Sequence, residues 1–117
     1  MEMTFAALEN MIPWWGHEEY YDGLVKKFKL NQIFDIPPIP AVKILPDFGI
    51  KQKYLFCEGH HRYNSAKKAK IKSVSIVVYG PNDSLDDIAK VSGSEYVWSY
   101  ESCLMIMQTL SGYKQVI

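Results

Sequence analysis

The chain has no net charge, only two cysteines and no apolar run long enough to cross a bilayer. Each absence excludes something. Its 117 residues carry 13 Lys or Arg against 13 Asp or Glu, a balance that argues against a protein that coats nucleic acid wholesale. Cys57 and Cys103 share no metal or redox spacing; they read as reduced thiols, though a pair also allows one disulfide. The opening stretch, MEMTFAALENMIPWW, has an acid at position 2 and no basic n-region, so it does not read as a secretory signal. The longest apolar runs fall far short of the ~20 residues of a membrane span. No internal repeat, low-complexity tract or linker divides the sequence. The expectation is one cytoplasmic domain over 1–117, with no membrane partner.

The charge that is present is unevenly placed. Residues 51–72 carry Lys51, Lys53, Arg62, Lys67, Lys68, Lys70 and Lys72 against Glu58 alone, and the flanks are acidic. A local basic field of this kind favours an anionic ligand, although the lysines by themselves read better as a solvated helix face.

Residues 4–12 fit either a short helix or an opening strand. Pro13 and Gly16 bracket Trp14 and Trp15 in a loop, where one tryptophan is expected to cap the core. From Glu18 to Leu30 the apolar residues recur at helical spacing, with acids early and lysines late. The run Asp35-Ile36-Pro37-Pro38-Ile39-Pro40 must be extended. It enters a strand at 41–45, and proline at that entry suggests an edge position. After a turn at Pro46–Gly49, Tyr54–Cys57 reads as the second arm of a loose hairpin. A helix over 61–70 and a β-branched strand over 73–79 follow, which predicts a crossover between parallel strands. Ser84 caps a helix that stops near Gly93, and a last apolar helix over 95–110 is expected to cover the sheet or to form a dimer contact. The fold class is therefore α/β (α+β): a small mixed sheet with a strand–Gly turn–helix–strand unit and C-terminal helices.

The densest chemistry is consecutive: Cys57, Glu58, Gly59, His60, His61 and Arg62. Glycine at a strand-to-helix junction lets backbone approach a ligand. The free N–H groups of the first helical turn and the helix dipole favour an anion there, and Arg62 can add a bidentate contact to phosphate. Gly59, His60, His61 and Arg62 thus form a candidate phosphate or nucleotide cradle. Cys57, near a strand end, reads as a buried small hydrophobe. A zinc site built on His60 and His61 with Cys57 or His17 is disfavoured, because adjacent histidines diverge in a turn and no second ligand pair exists.

The element Glu58-Gly59-His60-His61-Arg62, preceded by Pro37–Val42 and Tyr54–Phe56 and followed by Ser84–Asp87, resembles the ParB/sulfiredoxin-like superfamily over about residues 35–90. The resemblance implies nucleotide binding at the turn: ATP as in sulfiredoxin, CTP as in ParB proteins, or ADP as in the ParB-like free serine kinase. Arg62 matches the phosphate-binding arginine, and Gly59 and His60 match the turn. His61 matches the histidine beside that arginine in sulfiredoxin. Sulfiredoxin's reactive cysteine would fall at position 60, where this chain has His60, so the chain is not expected to act as a sulfiredoxin. Glu58 stands where many ParB-like turns have an acid; it is a candidate to hold Mg²⁺ with the phosphates or to act as a general base. The kinase branch has a glutamate base near the place of His17-Glu18-Glu19, which makes Glu18 a second catalytic candidate. The expectations are a phosphotransferase or nucleotide hydrolase, with nucleotide and Mg²⁺ as ligands. A DNA-directed protein or a non-catalytic interaction module, as monomer or homodimer, are the alternatives.

Overall fold

The structure, a computed structural model, describes residues 1–112. In chain order it runs β1 (Glu2–Ala7), a 3-10 turn (Leu8–Asn10), β2 (Met11–Pro13), α1 (Asp22–Lys29), β3 (Ile39–Lys43), a second 3-10 turn (Pro46–Phe48), β4 (Tyr54–Phe56), α2 (His60–Lys68), β5 (Ser73–Val78), α3 (Leu85–Ser92) and α4 (Tyr100–Leu110). The strands form one mixed sheet in the order β1-β5-β3-β4-β2. β3 is parallel to β5 and β2 to β4, while β1–β5 and β3–β4 are antiparallel. The class is α/β, as expected.

Strand alternation sorts the side chains into two cores. Ile39, Ala41, Phe56, Val74 and Ile76 face Val25 and Phe28 of α1 and Ala66 of α2. Val42, Leu55, Val77 and Tyr79 face Ile88 of α3 and Cys103 and Met107 of α4. The sheet is thus sandwiched between two helical layers, and α4 covers one face of it. Ala66 is fully buried, and its small side chain lets α2 sit close to the strands.

Several expectations are corrected. The segment read as helix or strand at 4–12 is β1, a 3-10 turn and the start of β2. The crossover between parallel strands over 53–79 is absent: β4 and β5 run antiparallel, with β3 between them. Burial decides this, since Ile39, Ala41 and Val42 are almost wholly inaccessible and only a central position hides both faces of a strand. β3 is therefore not an edge strand. Pro40 is tolerated because β4 is short and pairs with β3 only at Val42 and Lys43. The Ala41 carbonyl takes the Tyr79 N–H, so bonding to β5 runs through the residues next to Pro40 and its missing donor costs no ladder bond.

Helix boundaries also move. α1 begins at Asp22 rather than Glu18, because tertiary hydrogen bonds hold residues 17–21 out of the helix. Asn64 Nδ2 donates to the carbonyls of His17 (2.8 Å) and Glu19 (2.9 Å), and Tyr21 N–H donates to Ser65 Oγ (3.1 Å). α4 begins at Tyr100 rather than 95: Ser99 Oγ accepts from Ser102 N–H, and Tyr79 Oη donates to the Trp98 carbonyl (2.7 Å), pinning the chain just before it. Ser84 caps α3 by accepting from Asp87 N–H, and Gly93 ends it in the left-handed conformation, both as the sequence predicts.

Candidate functional site

β4 delivers the chain to Gly59, whose φ of 88° lies in the left-handed region. A Cβ there would stand 3.0 Å from Ile39 Cγ2 and 3.2 Å from Cγ1. Backbone conformation and the approach to β3 therefore both require glycine. α2 starts at the next residue, with no side-chain cap and no acid in its first turn. Its leading N–H groups and the positive end of its dipole are left to a ligand or to water.

The two histidines diverge from this point. His60 turns inward, 9% exposed, between Phe56 and His17, whose ring centroids each lie 5.0 Å away. Burial, then the neighbouring His17 and His61, push its pKa down to about 4, so the ring is neutral at pH 7. Its Nε2 is buried with no hydrogen-bond partner. His61 stays half-exposed and stacks on Tyr21, with centroids 4.3 Å apart and planes within 4°. Its Nε2 lies 3.3 Å from Glu19 Oε2.

Glu58 is half-buried. Burial raises its carboxyl pKa, and Glu95 adds to the rise; a hydrogen bond from Tyr96 and the Arg62 charge work against it. Trp98 also favours the carboxylate, although its Nε1 is buried without a partner in hydrogen-bonding geometry. Among the described residues, the buried side-chain polar atoms left without partners are His60 Nε2 and Trp98 Nε1. Both belong to the surroundings of this turn, linked through Trp14, Trp15 and His17 by ring contacts of 5.1, 6.2 and 5.2 Å.

Arg62 is committed to the protein. Its Nη1 donates to the carbonyls of Pro37 (3.0 Å), Pro38 (2.8 Å) and Ser92 (2.7 Å). Nη2 makes one long contact, 3.4 Å to Ser94 Oγ, and faces the Gly59 side of the turn. The guanidinium therefore ties the proline run to the end of α3.

The other sequence candidates divide. Glu18 is exposed on the loop, and it is the adjacent Glu19 that reaches α2. Cys57 is buried, with Sγ 3.9 Å from Cys103 Sγ. Its hydrogen bond to Cys103 and burial push its pKa up, so it is a poor nucleophile. Lys67 and Lys68 lie over the rings of Tyr63 and Tyr20, on the exposed face of α2. No group of three or more His, Cys, Asp or Glu among the described residues is arranged to hold a metal ion. No helix among them is long and apolar enough to cross a membrane.

Sequence reasoning chose Glu18 over its neighbour Glu19, and missed Tyr21, Asn64, Tyr96 and Trp98 as parts of this surface. Asn64 carried a signal, since it lies one helical turn beyond His60 and His61. Trp98 carried none, because it arrives from a distant irregular segment.

No family model matches the chain, and no curated protein matches its sequence. Solved structures do. One is sulfiredoxin from Arabidopsis thaliana, at 17% identity over 68% of this chain and 85% of that one, TM-score 0.47. The likeness is to ParB/sulfiredoxin-like structures. The C-terminally truncated chromosome-partitioning protein ParB from Caulobacter crescentus, complexed with CTP-gamma-S, is similar at 20% identity over 71% of this chain and 47% of that one, TM-score 0.47. A free serine kinase in complex with AMP is similar at 22% identity over 71% of this chain and 33% of that one, TM-score 0.46. The chain thus spans less than half the length of the latter two. At such identities and scores these structures transfer no chemistry to this chain.

Proposed function

We propose that the N-terminus of α2 is a nucleotide-binding site that takes the ligand's phosphates on the N–H groups after Gly59. One observation carries the reading. An uncapped helix start lies beside His60, a buried residue whose Nε2 has no partner. An unpaired buried polar atom costs about 1–3 kcal/mol, and a ligand group that reached Nε2 from the helix start would remove that cost. His61 supplies a half-exposed imidazole next to the anion, and Trp15 and His17 supply ring faces for a base. The part of Arg62 in this reading is to hold the proline run in place, with Nη2 as the group that can turn to a phosphate.

The same site supports phosphotransfer or nucleotide hydrolysis with Glu58 as the acting carboxylate. Its raised pKa and its place beside the turn suit a general base or a Mg²⁺-bearing acid. When bound, Mg²⁺ would offset phosphate charge; Glu58 is the residue that would hold it. Glu18, exposed on the loop, is the weaker candidate for such a role.

Calorimetric titration with ATP, ADP, AMP and CTP, each with and without Mg²⁺, tests the reading. Binding by the wild type that His61→Ala weakens is the expected result, with Glu58→Gln retaining the affinity measured without Mg²⁺ and losing any turnover. No binding to any of the four overturns it. Salt-dependent retention of duplex DNA without nucleotide binding would favour the DNA-directed reading instead.

A further inference from the structure

The two edges of the sheet are built differently. β2, at one edge, has three residues and ends in Pro13, which discourages a further strand. β1, at the other, has six residues with no proline or basic side chain. Leu8 donates its N–H to the Lys72 carbonyl (2.8 Å). In the same register Ala6 pairs with Val74 and Thr4 with Ile76. Bonding alternates along an antiparallel pair, so the N–H and C=O groups of Met3 and Phe5 point away from β5. That outer row meets no other strand among the described residues.

The same edge carries apolar surface. Met3 is 59% exposed, Phe5 64% and Phe34 93%. All three line a single cavity of about 500 Å³, whose wall also includes the buried Phe28. Monomeric proteins seldom leave large side chains in a contiguous group beside an open strand edge.

We propose that two copies of this chain join at the β1 edge, by antiparallel β1–β1 pairing about a twofold axis at Thr4. In that register Met3 and the partner's Phe5 exchange both backbone hydrogen bonds, and the symmetric pair does the same. Only outward-pointing groups are used, so the bonds to β5 survive. Each pair sets a thioether against a phenyl ring. Glu2 falls opposite the partner's Ala6, which keeps the two carboxylates apart. A twofold axis perpendicular to the sheet keeps Met3 and Phe5 of both copies on one face, so the two cavities join across the seam. Taking about 200 Å² for a whole aromatic side chain, the exposed parts of Met3, Phe5 and Phe34 amount to roughly 400 Å² per copy. Two copies then cover about half of the roughly 1,600 Å² of a standard interface, and strand backbone and rim supply the remainder.

Light scattering coupled to size exclusion, on the whole chain over a range of concentrations, tests this. A dimer is expected. Phe5→Lys, which sets two like charges near the seam, should give a monomer with an unchanged circular dichroism spectrum. If that variant fails to fold, Phe34→Ser, which lies outside every strand, should weaken association by at least about tenfold. A wild type that stays monomeric at every concentration overturns the proposal. So does a dimer that neither variant weakens.

Discussion

Replacing Arg62 should damage the free protein before any ligand is considered. Nη1 is shared among the carbonyls of Pro37, Pro38 and Ser92 at 2.7 to 3.0 Å. Hydrogen bonds from a charged donor are worth about 1.5–3 kcal/mol each. With two N–H groups serving three acceptors, Arg62→Ala should cost about 3–5 kcal/mol. That is a large part of the roughly 5–15 kcal/mol that holds a domain of this size together. Arg62→Lys keeps the charge but not the planar fork, and should recover less than half. Urea unfolding followed by tryptophan fluorescence, at neutral pH and without nucleotide, measures both. A loss below about 1 kcal/mol, the range of an exposed ion pair, would refute the clamp and return Arg62 to a ligand-only role. If the clamp holds, lost nucleotide binding in Arg62→Ala says nothing about direct contact, so the binding test must rest on His61.

Two further perturbations follow from the same turn. Gly59→Ala should cost about 2–4 kcal/mol, combining the left-handed backbone with the Ile39 contact. Gly49→Ala, with φ of 61° and open space around it, should cost only about 1–2 kcal/mol; equal losses for the two variants would remove the Ile39 argument. His60 titrates near 4 when folded against an ordinary 6.5, so between those values the unfolded chain binds more protons. Its contribution is complete above pH 6.5 and is lost as pH falls toward 4. The full displacement corresponds to about 3 kcal/mol, and relaxation of the packing around a charged ring brings the expected loss to about 2 kcal/mol. His60→Phe should flatten that part of the urea-midpoint profile, and an unchanged slope would refute the assignment.

Local signals were legible wherever one residue type dictates backbone geometry. Ser84 and Gly93 bounded α3, and Pro46–Gly49 made its turn, because capping and left-handed φ depend on a few neighbouring atoms. Gly59 marked the turn for the same reason. The strand segments at 54–56 and 73–78 followed from their β-branched and aromatic content, and the apolar stripe of α4 announced that it covers something.

What residue types could not decide was which strand lies beside which. Pro40 pointed to an edge, yet β3 is central, because what matters is whether the neighbour reaches the missing donor, and β4 stops short of it. The 53–79 unit suggested parallel neighbours, yet the need to bury Ile39, Ala41 and Val42 on both faces places β3 between β4 and β5. At the site, sequence named Gly59, His60, His61 and Arg62 by adjacency. Folding then sent His60 inward and His61 outward, and turned the Arg62 guanidinium to carbonyls 24 to 30 residues away in the chain. Consecutive residues share a stretch of backbone and nothing more; where their side chains point is set by long-range packing, which leaves no pattern in a local window.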